Sequence, residues 1–179
     1  MHVCQRSHPH KEGATLWRTP QARARRNFNN SIARSSNIVY LTRLMAWPAY
    51  FPPDCPTSDA VPADGQVWRL VRTSSPDPDD FLSLKEMHPA TRRTSERLEC
   101  QSCGLSVQRD PADCVRLKQR VRGYRDHLVA SANLTSAHGF TLPTPSKLGG
   151  LSHTTWWVPR LVEPWTFFIV STEVDDGSR

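Results

Sequence analysis

The sequence predicts an α+β fold: a single small domain of mostly antiparallel sheet with two helices packed on it. Three observations carry that expectation. Short runs rich in β-branched and aromatic residues recur after Gly65, separated by glycine and proline turns. Two intervening segments open with a Ser or Asp cap followed by proline and then place apolar residues at helical spacing. The elements follow one another as strand, helix, strand, helix, then three or four further strands.

The first strand is Gln66 to Arg72, with Trp68 and Leu70 on one face and Val67, Arg69 and Val71 on the other. Ser75-Pro76-Asp77 then reads as a helix start, with Phe81, Leu84 and His88 on one stripe and Pro89 as the stop. Pro89 to Glu99 is polar and reads as a mobile loop. Its Arg92, Arg93 and Arg97 are diluted by Glu96 and Glu99, which makes a solvated loop the favoured reading over an anion-binding patch. Gly104 to Val107 is a strand. Asp110-Pro111 opens a second helix that Gly123 ends, and Cys114, Leu117 and Val121 share its inner face. Arg125 to Leu134 and Phe140 to Leu142 are strands on either side of the turn Ser136–Gly139, and Pro143 to Gly150 is a loop. In Ser152 to Pro159, strand alternation puts His153, Thr155 and Trp157 on one face and Thr154, Trp156 and Val158 on the other. Trp165 to Val170 reads as a buried strand.

The domain organisation follows from composition. Residues 1 to 44 hold eight Lys or Arg against the single acid Glu12 and show no sustained period, so they read as a basic, disordered tail, or as the result of a start assigned upstream of a true one at Met45. Residues 45 to 64 are a proline-stiffened arm that ends in the turn signal Asp64-Gly65. The α+β domain spans 65 to 172, and 173 to 179 is a polar tail. The net charge of +6 invites a nucleic-acid reading, through Arg23 to Arg26 of the tail, yet the remaining residues carry fifteen basic against sixteen acidic groups. A nucleic-acid partner is therefore expected only through the tail, and a protein or small-molecule partner ranks ahead of it. No run of about 18 apolar residues exists, so no membrane span is expected.

Five cysteines make an odd count, and the N-terminus has no apolar signal region, so the expectation is reduced thiols in the cytoplasm. Cys100-Gln-Ser-Cys103-Gly104 has the spacing of a zinc half-site, because two thiolates two residues apart can share one tetrahedral ion. Four ligands are needed and no second paired motif follows. Cys114, His127, His138 and His153 each stand alone, so two reduced cysteines in a turn are the stronger reading. A redox dithiol fits less well, since the motif leads into a strand and not into a helix N-terminus. Cys4, His8 and His10 have ligand chemistry within the tail.

No catalytic or nucleotide-binding signature is complete. The best reading is a small binding or accessory protein, with zinc at Cys100 and Cys103 as a structural option. The alternative is a nucleotide-handling or other enzyme whose pocket holds Arg69, His153, Trp156 and Trp157: arginine for a phosphate, an indole for a base. Against it stands the reading of His153 as bonded to a backbone carbonyl, with both tryptophans in the core. Tyr50-Phe-Pro-Pro-Asp-Cys-Pro, Cys103-Gly-Leu-Ser-Val and Ser152-His-Thr-Thr-Trp-Trp, together with Val67-Trp-Arg-Leu-Val, resemble motifs of a family of short, uncharacterised bacterial proteins. That resemblance begins near Met45 and implies no activity.

Overall fold

The structure, a computed structural model, describes residues 46–170; the basic N-terminal segment, with Arg23 to Arg26 and the Cys4, His8 and His10 group, and the polar C-terminal tail lie outside them. The described chain is an α+β domain. Its strands are β1 (Val61–Pro62), β2 (Gly65–Val71), β3 (Leu105–Gln108), β4 (Leu128–Leu134), β5 (Phe140–Pro143), β6 (His153–Trp157) and β7 (Ile169–Val170), and its helices are α1 (Leu84–Met87), α2 (Glu96–Cys103) and α3 (Pro111–Arg120). All the strand pairs are antiparallel, in the order β1-β5-β6-β3-β2-β4-β7.

Pairing is uneven across this sheet. β2 pairs with β4 along its whole length, from Gly65 opposite Leu134 to Val71 opposite Leu128, and β3 pairs with β6 at four positions. β2 and β3 meet at one position, Trp68 opposite Gln108.

Strand alternation gives the sheet two different faces. One buries Val67, Val71, Leu105, Val107 and Trp156, closed over by Phe81 and Phe168, whose rings meet edge to face at 5.0 Å. The other buries Phe140, Leu142 and Trp157 under α2 and the arm, with Trp47 and Phe51 stacked at 5.7 Å. His153 and Trp157 lie on this second face and Trp156 on the first, the alternation expected for β6.

Three segments depart from the sequence expectation. The helix expected over Ser75 to His88 is two pieces. Asp77 caps a 3-10 turn at Pro78–Phe81, Leu82 is extended, and Ser83 caps α1, exchanging hydrogen bonds with Glu86. Two capping boxes six residues apart cannot both sit within one helix, so the chain restarts. The stretch expected as a mobile loop and cysteine turn is instead α2, begun by Ser95, whose Oγ accepts from the Leu98 amide at 3.3 Å. The expected buried strand at Trp165 to Val170 starts as a 3-10 turn at Pro164–Thr166, which leaves only Ile169 and Val170 to pair at the sheet edge, with Ile169 exposed.

The cysteines differ as well. Cys55 and Cys100 form a disulfide, with their Cα atoms 5.5 Å apart, which corrects the expectation of reduced thiols at these two positions. The reason is tertiary: the arm folds back over Trp157 and α2, so two cysteines 45 residues apart in sequence meet in one apolar cluster. Cys103 and Cys114 are free thiols, both buried.

Candidate functional site

On the second face, beyond the part covered by α2 and the arm, a cavity of about 620 Å³ opens between α3, the loop 146–149 and the segment 79–87. Its floor is made by three strands. The pairing register sets Trp68 of β2 opposite Gln108 of β3, and Gln108 opposite His153 of β6, so the three side chains form one lateral row on the same face. Leu70 and Ser106 lie one step further along that face.

The walls are mixed. Leu117 and Cys114 of α3 contribute one side and Leu84 and Met87 another, both of the latter substantially exposed at the rim. Burial pushes the Cys114 thiol up to about 12, so it is a protonated, apolar wall group and no nucleophile. Tyr124 and His127, packed edge to face at 5.1 Å, line the end beyond α3, and burial holds His127 below the usual imidazole pKa.

His153 lines this cavity from the second face; Arg69 leaves β2 on the first face, with Val67 and Val71, and its guanidinium reaches the cavity edge through the gap between β2 and β3. Arg69 stands where β2 and β3 part. Its Nε donates to the Asp80 carbonyl at 2.8 Å, its Nη1 to the Ser106 carbonyl at 2.5 Å, and its guanidinium lies 5.6 Å from the centre of the Phe81 ring. Burial lowers its pKa below the usual arginine value. Two of its three nitrogens are thus spent on backbone. Arg72 is engaged too, with Nε on Asp80 at 2.9 Å and Nη2 on Asp77 at 2.7 Å.

His153 is held from behind. Its Nδ1 lies 2.7 Å from the Thr144 carbonyl oxygen. A carbonyl only accepts, so Nδ1 carries a proton, with Thr144 Oγ1 also 3.0 Å from it; of the two neutral tautomers this bond selects the one whose lone pair is on Nε2.

Trp156 and Trp157 lie elsewhere. The Trp156 indole donates to the His138 carbonyl at 2.7 Å in the first-face core, and the Trp157 indole to the Cys100 carbonyl at 2.8 Å under α2. The expected four-residue pocket therefore resolves into Arg69 and His153 at the cavity and two core tryptophans. Trp68 and Gln108, which sequence reading left out of the pocket, complete the row. Their only sequence signal is strand parity, and that becomes informative once the strand register is known.

At the other candidate site, Cys100 and Cys103 fall on α2, with the Cys100 sulfur bonded to Cys55. The Cys103 thiol donates to the Glu99 carbonyl at 3.4 Å and is pushed up to about 11, chiefly by burial. Among the described residues no group of three or more His, Cys, Asp or Glu is arranged to hold a metal ion, and no helix is long and apolar enough to cross a membrane. No family model, no curated protein and no solved structure matches this chain.

Proposed function

We propose that the domain binds a small, largely apolar molecule in the cavity over Trp68 and Leu70. One observation carries this reading. β2 is flanked on both sides by other strands, yet its two large apolar side chains on the second face remain half-buried. Large apolar groups at the middle of a sheet are normally covered by a packed layer; here α3 and the segment 79–87 stand apart and leave a space. A volume of 620 Å³, with leucines, a tryptophan and a few polar groups, lies within the range of small-molecule sites.

The test uses naphthalene as the probe and the 179-residue chain without reductant. In 1H–15N NMR titration, the expected shifts centre on Trp68, Leu70, Gln108 and Leu117. Leu70→Trp, which fills the space, abolishes them. Shifts scattered over the surface, or unchanged in the filled variant, count against a cavity ligand.

The second reading is a nucleotide-handling enzyme, favoured by Arg69 and His153 sharing the cavity wall. It ranks lower because Arg69 and Arg72 already spend donors on Asp80, Ser106 and Asp77, which leaves less to offer a phosphate. Adenosine monophosphate binding more tightly than adenosine, with the preference lost in Arg69→Met, would reverse that order. As to location, a buried disulfide supports an oxidising compartment over the cytoplasm expected from unpaired thiols.

A further inference from the structure

We infer that the cavity selects its ligand by hydrogen-bond donors: a planar aromatic molecule lying against Trp68 that presents two neighbouring O–H or N–H groups to Gln108 Oε1 and His153 Nε2. The inference rests on the small-molecule reading above and adds the chemistry of the ligand's edge.

The His153 half follows from the Thr144 carbonyl, which fixes the proton on Nδ1 and leaves Nε2 to accept. The Gln108 half follows from counting protons around Ser152. Gln108 is 3% exposed and lines the cavity, and its Oε1 is placed 3.4 Å from Ser152 Oγ, an amide orientation that stands only if Ser152 donates to it. That hydroxyl has one proton, and the Asp113 carboxylate, 2.6 Å away, takes it. Burial pushes Asp113 up, but hydrogen bonds from Ser152 and Arg116 outweigh it and hold the carboxyl below the usual range, ionised and accepting only. The Asp110 amide donates to the same Ser152 Oγ at 3.1 Å. With its proton on Asp113, the hydroxyl meets the amide oxygen as placed with a lone pair, acceptor against acceptor, whereas the NH2 end of the amide would donate to it. We therefore turn the Gln108 amide over, with Nε2 toward Ser152 and Oε1 toward the cavity.

Two acceptors then stand side by side on paired strands, with Cβ atoms about 5 Å apart, close enough to converge on donors carried by adjacent ring atoms. Trp68, next in the same row, offers an aromatic surface at the donor edge's other side. The floor thus combines one flat apolar surface with two acceptors, while the arginines of the wall are engaged with aspartates and backbone carbonyls.

The experiment compares 2,3-dihydroxynaphthalene, 2,3-dimethoxynaphthalene and naphthalene by 1H–15N NMR titration of the 179-residue chain, under argon and without reductant. The dihydroxy compound is expected to bind about tenfold or more tightly than naphthalene, since two added hydrogen bonds each contribute modestly. The dimethoxy compound, which has the shape of the edge and no donors, gains nothing. Gln108→Met and His153→Leu each remove most of the dihydroxy advantage, read as the ratio of dihydroxynaphthalene to naphthalene affinity in the same variant. If the dihydroxy compound and naphthalene bind the unaltered protein equally, the donor-edge inference fails and the cavity reading stands. If none of the three binds, both fall. The comparison on the unaltered chain decides the matter even where a variant does not fold.

Discussion

The indole N–H of Trp157 donates to the carbonyl oxygen of Cys100 at 2.8 Å, so one residue of α2 is held at two atoms: its carbonyl by β6 and its sulfur by Cys55 of the arm. Trp157 is fully buried, and the Cys100 carbonyl lies in the last turn of α2, where helical partners run out. Trp157→Phe removes the only donor the side chain has and leaves a buried acceptor, besides a small void. The expected cost is about 2–4 kcal/mol in urea unfolding. A loss under about 1 kcal/mol would mean that water replaces the indole at that carbonyl.

The sulfur attachment has a separate magnitude. A cross-link between residues 45 apart removes loop entropy from the unfolded chain, for which the chain-entropy relation gives about 4 kcal/mol. Cys55→Ala with Cys100→Ala is expected to lower stability by about 2–4 kcal/mol, and dithiothreitol should reproduce the loss in the unaltered protein and have no effect on the double variant. Equal stability with and without reductant would show that the arm is held by Trp47 and Phe51 packing alone.

Acid should weaken the domain in two stages. Burial holds His138 below the usual imidazole value of 6.5, and its Nδ1 accepts from the Thr135 amide at 3.0 Å, which protonation would end. His127 is lowered in the same direction, again mainly by burial. The unfolded chain therefore binds these protons first, and stability present above pH 6.5 is lost as pH falls through the lower folded values. Asp80 and Asp113 follow. Burial raises both, but hydrogen bonds outweigh it: from Arg72 and the Asp77 amide at Asp80, and from Ser152 and Arg116 at Asp113. Their contribution is lost only below the ordinary carboxylate value of 3.8. Urea midpoints taken from pH 8 to 2 should show both stages, and His127→Gln with His138→Gln should flatten the first. A first stage that survives the double substitution would place its origin elsewhere.

The elements best read from sequence are those with local signals. Asp110 and Pro111 announce α3, and the alternation around Trp68 announces β2, because caps and strand parity are properties of neighbours in the chain. α2 was hidden because Cys100-Gln-Ser-Cys103 carries a spacing associated with metal loops, while its start rests on one serine in a polar stretch. Ser95 was the available cue. The disulfide partner of Cys100 could not be read at all, since no local signal between two cysteines 45 positions apart encodes the return of the arm. At the cavity, Arg69 and His153 stood out by residue type, but Gln108 had no such mark. Its role appears only when the register puts it between Trp68 and His153.

The single pairing position between β2 and β3 divides the sheet into two leaves, β1-β5-β6-β3 and β2-β4-β7. Within each leaf the strands are joined by backbone, which every residue but proline supplies alike. Across the seam, on either side of Trp68 and Gln108, guanidiniums stand in place of a ladder: Arg69 of β2 donates to the Ser106 carbonyl, and Arg109, just past β3, donates to the Gln66 carbonyl at 3.2 Å and the Asp64 carbonyl at 2.6 Å. Backbone ladders are indifferent to side-chain identity; a guanidinium bridge is not. The join between the two leaves is therefore written into two arginine codons, one on each side of the Trp68–Gln108 pair, and a change at either would alter the seam while leaving both leaves their own ladders.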